Sequence, residues 1–282
     1  MEYSIENEYL KVTVTTWGAQ VKSVVRKCDG VEHIWQADKS VWGYHAPILF
    51  PHAGKVVDGK IEAKGRVYES GQHGFARLME HDFVEQTADT IVLELCSSEE
   101  TLSRFPYEFR LVSTFTLEND TLHHTLTVEN LDEEKLPFGI GYHPAFTVPF
   151  DDKHVATDYE LRFSGMESPI CINNLPYGLV HGDIYHLPAN IQSLAVDDQL
   201  FANDSHCMVN LKSQTLGLAS LPFKTKDYSF LCYLNRGTAT SESGKSFSKE
   251  SSKAFRLQFA FKPASLLLRV RTCSVQLGCL TT

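Results

Sequence analysis

The sequence has no segment that would anchor the protein in a membrane or direct it out of the cell. No run among its 282 residues approaches the roughly 20 apolar residues that a membrane-spanning helix needs. The start, Met1-Glu2-Tyr3-Ser4, has neither the basic nor the apolar region of a secretion signal. Seven cysteines, an odd number without CxxC spacing, favour reduced thiols over a disulfide framework. We therefore expect a cytoplasmic protein that does not associate with membranes.

The motifs of several common chemistries are missing as well. The sequence contains no glycine-rich phosphate loop after a strand and no GxSxG nucleophile motif. It has no HxxxH pair and no Cys/His cluster with zinc spacing. A formal net charge of −9 argues against nucleic acid and anionic membrane surfaces as partners. We expect neither cofactor nor metal, although a metal site assembled in space from histidines and a carboxylate stays open as an alternative.

Helical periodicity is scarce, and short segments of alternating apolar and polar residues dominate the chain. Residues 9–15 alternate in this way, which is typical of a half-buried strand. Residues 109–117 and 122–130 predict a hairpin, because the Glu, Asn and Asp at 118–120 suit a turn. Many such strands predict an all-β fold, a sandwich of antiparallel sheets. No linker divides residues 1–232, so we expect them to form one domain.

Two histidine motifs provide the candidate chemistry. The first is Gln72-His73-Gly74-Phe75-Ala76-Arg77, and the second is Gly139-Ile140-Gly141-Tyr142-His143-Pro144-Ala145-Phe146. Glycine and proline beside the two histidines restrict the backbone, so the direction of each imidazole is fixed. An imidazole with an ordinary pKa of about 6.5 can donate or accept a proton at neutral pH. The alternatives are structural: a turn residue that caps a carbonyl for His73, and a half-buried position on a sheet for His143.

The other candidate residues carry less specific signals. Arg77 follows the first motif and either pairs with a carboxylate or is solvated. Asp204 follows an apolar pair at a turn, where an ordinary turn residue is the simpler interpretation. His123 and His124 are adjacent in a predicted strand, so they point to opposite faces and are interpreted as structural. The histidines that lack a surrounding motif are also interpreted as structural: His154, His181, His186 and His206.

The order and spacing of several motifs resemble those of a known family. Pro47-Ile48-Leu49-Phe50-Pro51, then Gly54-Lys55, then the two histidine motifs resemble the aldose 1-epimerase (galactose mutarotase-like) family, and within it the LacX-like branch. The resemblance runs from the N-terminus to about Leu231. It implies a β-supersandwich with a sugar-binding cleft and an enzyme that interconverts the α and β anomers of an aldose. It also implies an aldohexose as the partner and no cofactor.

The resemblance further implies roles for individual residues. His143 matches the family's general acid, and His73 matches a second histidine that supports the ring oxygen and positions the sugar. Arg77 is expected to orient the site. Lys55 stands where the family often has arginine, which weakens any bidentate contact with the sugar. Asp204 resembles an aspartate that contacts sugar hydroxyls.

The family's catalytic base, a Glu near the C-terminus, has no counterpart in this sequence. In the LacX-like branch it belongs to a Glu-Pro-Trp motif, whereas residues 228–237 read YSFLCYLNRG. Codons TTG AAC CGT GG from Leu234 onward would encode Glu-Pro-Trp if read two bases later. The composition changes at the same place: residues 233–282 hold eight Lys or Arg against two Glu, a net +6, and residues 1–232 hold 18 Lys or Arg against 33 Asp or Glu, a net −15. We hypothesise that residues 233–282, an atypical C-terminal segment, are a frameshifted remainder of the same domain.

Two other functions stay open at this point. One is a carbohydrate-binding relative that keeps the cleft but has lost the base. Sugar binding without acceleration of anomer exchange would distinguish it from the enzyme. The other is a β-sandwich protein that processes glycosides, which would need two carboxylates at a defined separation. No such pair is evident in the sequence.

Overall fold

The computed structural model describes residues 1–158, 160–173, 179, 184–195, 205–209, 253–260 and 269–273. Its strands, in chain order, are β1 Glu2–Glu6, β2 Leu10–Thr15, β3 Gln20–Arg26, β4 Ile48–Leu49, β5 Lys60–Ala63, β6 Arg66–Glu69, β7 Asp82–Gln86, β8 Thr90–Cys96, β9 Phe109–Glu118, β10 Thr121–Asn130, β11 Gly141–Tyr142, β12 Glu160–Glu167, β13 Ile170–Asn173, β14 Ile184–His186, β15 Ile191–Ala195, β16 Ser205–Val209, β17 Lys253–Ala260 and β18 Arg269–Cys273.

Helices are short throughout the described residues. They comprise α1 Glu99–Leu102 and the 3-10 helices Val57–Gly59, Ala76–Leu78 and Ala156–Asp158. A capping box begins α1: the Ser98 side chain accepts from the Thr101 N–H, and the Thr101 hydroxyl accepts from the Ser98 N–H. No described helix is long and apolar enough to cross a membrane.

Six antiparallel strands, in the order β18-β17-β10-β9-β8-β7, form the largest sheet among the described residues. Its centre is the β9–β10 hairpin, which stays in register from Thr121 opposite Glu118 to Asn130 opposite Phe109. This confirms the hairpin predicted from the sequence. Strand β17 pairs with the other side of β10 over eight residue pairs. The described part of the C-terminal segment therefore joins the same sheet as the N-terminal half.

A second sheet, β1-β2-β3, shares its hydrophobic core with the first. Alternate residues of β2 are buried, and Leu10 and Val12 belong to the same hydrophobic cluster as Phe109 and Leu111 of β9. Phe50 lies within this cluster, fully buried, with its ring 4.9 Å from that of Phe109. The alternation therefore buries one face of each sheet, and the predicted all-β antiparallel fold is confirmed.

A short pair of strands brings the two histidine motifs together. Strand β4 pairs antiparallel with β11, placing Leu49 opposite Gly141. One residue after β4, Phe50 forms a parallel bridge with Gly74. The second motif is thus paired with residues 48–49, and the first motif is bridged to Phe50, the residue that follows them.

Candidate functional site

His73 lies in a left-handed turn that fixes its ring. Its φ is +66°, and the next residue, Gly74, has φ +67°. The His73 N–H donates to the Gly54 carbonyl at 2.7 Å, and the Gly54 N–H donates to Nδ1 of His73 at 2.9 Å. Because Nδ1 accepts a hydrogen bond, the proton of the neutral ring is on Nε2. Within the part of the chain that the structure describes, Nδ1 therefore accepts from a backbone N–H, and the Gln72 carboxamide lies 3.3 Å from Nε2.

Gly74 allows the first motif to approach the core strand at close range. A Cβ at this position would overlap the Phe50 carbonyl, lying 2.5 Å from its carbon. The same carbonyl accepts hydrogen bonds from the Phe75 N–H at 2.9 Å and the Ala76 N–H at 3.2 Å. The backbone that carries His73 is thus held on both sides, by Gly54 and by Phe50.

His143 follows β11 and faces His73. Its N–H donates to the Pro47 carbonyl at 3.0 Å, and the residue is only 5% exposed. The ring centroids of His143 and His73 are 6.1 Å apart, with an interplanar angle of 72°. The structure therefore brings together the two histidines that the sequence singled out, although a long stretch of chain separates them.

Two aromatic residues that sequence reasoning missed extend the site. The Trp42 ring lies 4.9 Å from that of His143 and 5.6 Å from that of Tyr44. The Trp42 carbonyl accepts from the indole N–H of Trp35 at 2.8 Å, which holds this loop in place. The one signal for them in the sequence is their position, a few residues before Pro47 at the start of the first family motif.

Arg77 completes a closed arrangement. Its guanidinium lies over the Tyr44 ring, 4.8 Å from the centroid, a cation–π geometry. Its Nη2 donates to the backbone carbonyl of Gln72 at 3.0 Å. Contacts therefore run in a closed loop, which we call the contact ring: His73, His143, Trp42, Tyr44, Arg77 and Gln72.

The electrostatics of the contact ring favour neutral histidines. Burial, followed by the effect of the neighbouring His143, Arg77 and His52, lowers the pKa of His73 to about 3. Burial lowers the pKa of His143 to about 4, against the effect of its own backbone, and Arg77 acts in the same direction as burial. Burial also lowers the pKa of Arg77, although the guanidinium stays charged at neutral pH. At pH 7 the site therefore carries a cation beside two uncharged imidazoles.

Carboxylates do not balance this cation within the described part of the chain. None of the groups that shift the pKa values of His73, His143 and Arg77 there is a carboxylate. The described residues also hold no group of three or more His, Cys, Asp or Glu that could bind a metal ion. Arg77 stacks on Tyr44 and is half-buried, and its expected role in orienting the site stays a prediction.

The two remaining candidates have different outcomes. Lys55 is exposed and directly follows Gly54, the residue that hydrogen-bonds His73. It therefore stands beside His73 in the chain, and its expected contact with the sugar stays a prediction. Asp204 lies outside the described residues, as does the stretch 228–237 where the family's Glu is expected.

Known proteins share both the sequence and the fold of this chain. The aldose 1-epimerase family model matches residues 1–207. The chromosomal protein LacX of Lactococcus lactis subsp. lactis is 34% identical over 228 residues, which cover 78% of this chain and 76% of LacX. Residues 208–282 lie outside the family match.

Solved structures give the same answer for the fold. A galactose mutarotase related enzyme from Lactobacillus acidophilus superposes with a TM-score of 0.76 at 24% identity. The superposition covers 96% of this chain and 100% of the enzyme's chain. A galactose mutarotase-like protein from Lactobacillus casei has a TM-score of 0.71 at 25% identity, covering 91% of this chain and 98% of its own. These matches show the galactose mutarotase-like fold. The family match over residues 1–207 and the identity to LacX show that the chain belongs to the aldose 1-epimerase family.

Proposed function

We propose that this protein interconverts the α and β anomers of an aldohexose in the cytoplasm, without a cofactor, and that His143 is its general acid. The observation that carries the proposal is the pairing of His73 and His143, with ring centroids 6.1 Å apart at the end of the β4–β11 pair. Membership of the aldose 1-epimerase family supports the reaction class. The reduced thiols expected from the sequence support the compartment.

Ring opening of an aldose requires two proton transfers. A base removes the proton of the anomeric hydroxyl, and an acid protonates the ring oxygen as the bond to the anomeric carbon breaks. The fixed tautomer of His73 makes it a hydrogen-bond donor through Nε2 and a poor proton acceptor. His73 therefore suits the positioning of the ring oxygen, and His143 is left as the residue that transfers the proton.

Arg77 has a supporting role in this scheme. Its guanidinium is held by the Tyr44 ring and the Gln72 carbonyl, close enough to both histidines to lower their pKa values. A fixed cation beside the anomeric centre stabilises the negative charge that develops on oxygen during ring opening. The arrangement is ready before the substrate binds, so no reorganisation is needed at that step.

The low pKa of His143 predicts that this chain catalyses anomer exchange faster at acidic pH. With a pKa of about 4, only on the order of one ring in 10³ is protonated at pH 7. The catalysed rate of anomer exchange should therefore rise about tenfold per pH unit from pH 7.5 to pH 6. Polarimetry or NMR on a freshly dissolved pure anomer measures this rate after subtraction of the spontaneous reaction.

The variant His143→Asn provides the direct test of the acid. It should lower the catalysed rate by roughly 10²–10⁴-fold and remove the pH dependence. The matched control is His33→Asn, because His33 is also buried but bonds to the Val24 carbonyl away from the contact ring. Equal losses in the two variants, or a rate independent of pH in the parent protein, would refute the assignment of His143.

A second candidate function is sugar binding without catalysis, and the missing carboxylate favours it. Residues 228–237, where the family's base is expected, contain no Glu. The frameshift hypothesis explains this absence, because one inserted base before codon 234 would give Glu, Pro and Trp at positions 235–237. Sequencing the DNA across the codons for Cys232 to Gly237 tests that hypothesis directly.

Restoring the motif should convert the weak catalyst into an efficient one. In the triple variant Asn235→Glu, Arg236→Pro, Gly237→Trp, we expect the restored carboxylate to raise the pKa of His143 and to supply the base. We expect a gain of roughly 10²–10⁴-fold at pH 7 and a flatter pH profile. The control carries Asn235→Gln in the same background. No gain in the Glu variant over this control would mean that the missing carboxylate is not what limits the reaction.

A further inference from the structure

We propose that His52, together with Ser70, is a positioning residue that determines which ring nitrogen of His73 carries the proton. The inference concerns a third histidine for which neither family resemblance nor sequence motif assigns a role. The effect of His52 and Ser70 on the tautomer is argued from the hydrogen bonds around His73. Its consequence for catalysis rests on the proposed function.

The two residues join the segments that hold His73. Nε2 of His52 and the hydroxyl of Ser70 are 2.6 Å apart, a hydrogen bond in which either group can donate. His52 stands two residues before Gly54, and Ser70 stands three residues before His73. The bond therefore joins the two segments at positions that precede Gly54 and His73 in the chain.

The Gly54–His73 pair is a two-bond clamp. One bond runs from the His73 N–H to the Gly54 carbonyl, and the other runs from the Gly54 N–H to Nδ1 of His73. The second bond favours the Nε2–H tautomer, because a protonated Nδ1 would meet the Gly54 N–H donor head-on. Whatever fixes the direction of the Gly54 N–H thus fixes the proton of His73.

The clamp closes on backbone that needs external support. Gly54 has φ +84° and His73 has φ +66°. A left-handed conformation at a residue with a side chain persists only when surrounding bonds impose it. Ser70 is itself anchored, since its N–H donates to the Gly59 carbonyl at 2.7 Å, and it is 9% exposed. The rigid partner in the His52–Ser70 bond is therefore Ser70, and the segment that it restrains is 52–54.

The His52 ring also interacts with the backbone that it would restrain. Burial lowers the pKa of His52, while the backbone of Gly54 and Ala53 acts against burial. Charge on His52 would in turn lower the pKa of His73. The geometric link is the His52–Ser70 bond, which acts on the segment that carries the Gly54 N–H.

Loss of this restraint has a specific chemical consequence. If the Gly54 N–H turns away from Nδ1, the neutral His73 ring populates both tautomers, and its N–H points at the ring oxygen for only part of the time. A donor that is misdirected for part of the time lowers kcat and leaves KM nearly unchanged, because the sugar still binds through its other hydroxyls.

The experiment reads the tautomer of His73 by long-range ¹H–¹⁵N NMR on the full chain at pH 7.5. We expect the parent protein to show His73 as the Nε2–H tautomer only. The variants Ser70→Ala and His52→Gln should each show a mixture, with kcat for anomer exchange lowered roughly three- to tenfold. Ser70→Thr keeps the hydroxyl and should restore both the tautomer and the rate.

The matched control is Ser113→Ala. Ser113 is fully buried, and its hydroxyl has no hydrogen-bond partner among the described residues, so its removal should leave His73 unchanged. A single Nε2–H tautomer in both Ser70→Ala and His52→Gln would overturn the positioning role, whatever their activity. A tautomer mixture in a protein that never accelerates anomer exchange would support the positioning role and refute the proposed function.

Discussion

Gly74→Ala should remove a large part of the stability of the protein at 25 °C. The new Cβ would overlap the Phe50 carbonyl, lying 2.5 Å from its carbon, and the residue would have to keep φ near +67°. Relief by a backbone shift is blocked, because that carbonyl also accepts hydrogen bonds from Phe75 and Ala76. Combined clash and strain in a fully buried segment place the cost on the order of 4 kcal/mol or more, a large part of the stability of a typical domain.

Gly30→Ala is the control that separates the clash from the strain. Gly30 has φ +73°, and a Cβ there would meet nothing within 4 Å. Its substitution should cost only about 1 kcal/mol, the ordinary penalty for alanine in a left-handed conformation. Urea unfolding followed by fluorescence compares the two variants. A Gly74→Ala protein that unfolds at the same urea concentration as Gly30→Ala would show that Phe50 can move.

Stability should collapse as the pH falls from about 6.5 toward 5. The pKa values of four buried histidines are lowered chiefly by burial: to about 3 in His73 and His124, and to about 4 in His81 and His143. In the unfolded chain these rings regain pKa values of about 6.5, so the unfolded state binds more protons below that pH. Their stabilisation is complete above pH 6.5 and is lost toward the folded pKa values.

The expected size of this effect is large. Once the unfolded rings are protonated, each histidine costs about 1.4 kcal/mol per pH unit, so four cost on the order of 5 kcal/mol per pH unit. That slope would consume the stability of an ordinary domain within two pH units. Urea unfolding at constant ionic strength between pH 7.5 and pH 5 measures the free energy of unfolding directly. A free energy that stays constant down to pH 5.5 would contradict the prediction.

His124→Leu isolates one of the four contributions. His124 is fully buried against Phe115, and neither ring nitrogen has a hydrogen-bond partner among the described residues. An apolar side chain there should lower the slope by about 1.4 kcal/mol per pH unit and stabilise the protein at pH 5.5. The comparison variant is Leu126→Val. Leu126 is buried in the same strand and carries no titratable group, so the slope should not change.

Local signals made the scaffold predictable. The β9–β10 hairpin appears in the sequence as two alternating segments around a turn, and the structure begins and ends its strands within a residue or two of that pattern. The His73 and His143 motifs were also visible, because glycine and proline beside a histidine are local signals. Their meeting in space was expected only through the family resemblance, since it depends on the β4–β11 pairing.

Long-range contacts explain what the sequence did not reveal. Trp42 and Tyr44 read as ordinary aromatic residues of a loop, and their proximity to His143 and Arg77 follows from the path of the chain around the core. The contact between Arg77 and Tyr44 was not predicted, because a partner far away in the chain cannot be inferred from spacing of a few positions. The left-handed conformation of His73 was likewise not predicted, because glycine, the residue that favours this conformation, follows position 73 and does not occupy it.

The contact ring has a consequence for the energetics of mutation. In a closed loop of contacts, every member is restrained from two directions, so removing one side chain leaves its neighbours held from the far side. A single truncation at Tyr44 or His143 should therefore lower the free energy of unfolding by less than that side chain contributes to it. Truncating both would release the intervening Trp42 from both sides, so the combined loss would exceed the sum of the separate losses. Such coupling makes the loop that carries Trp42 and Tyr44 cooperative with the histidine pair. The residues at these two places would then be expected to change together among relatives of this chain.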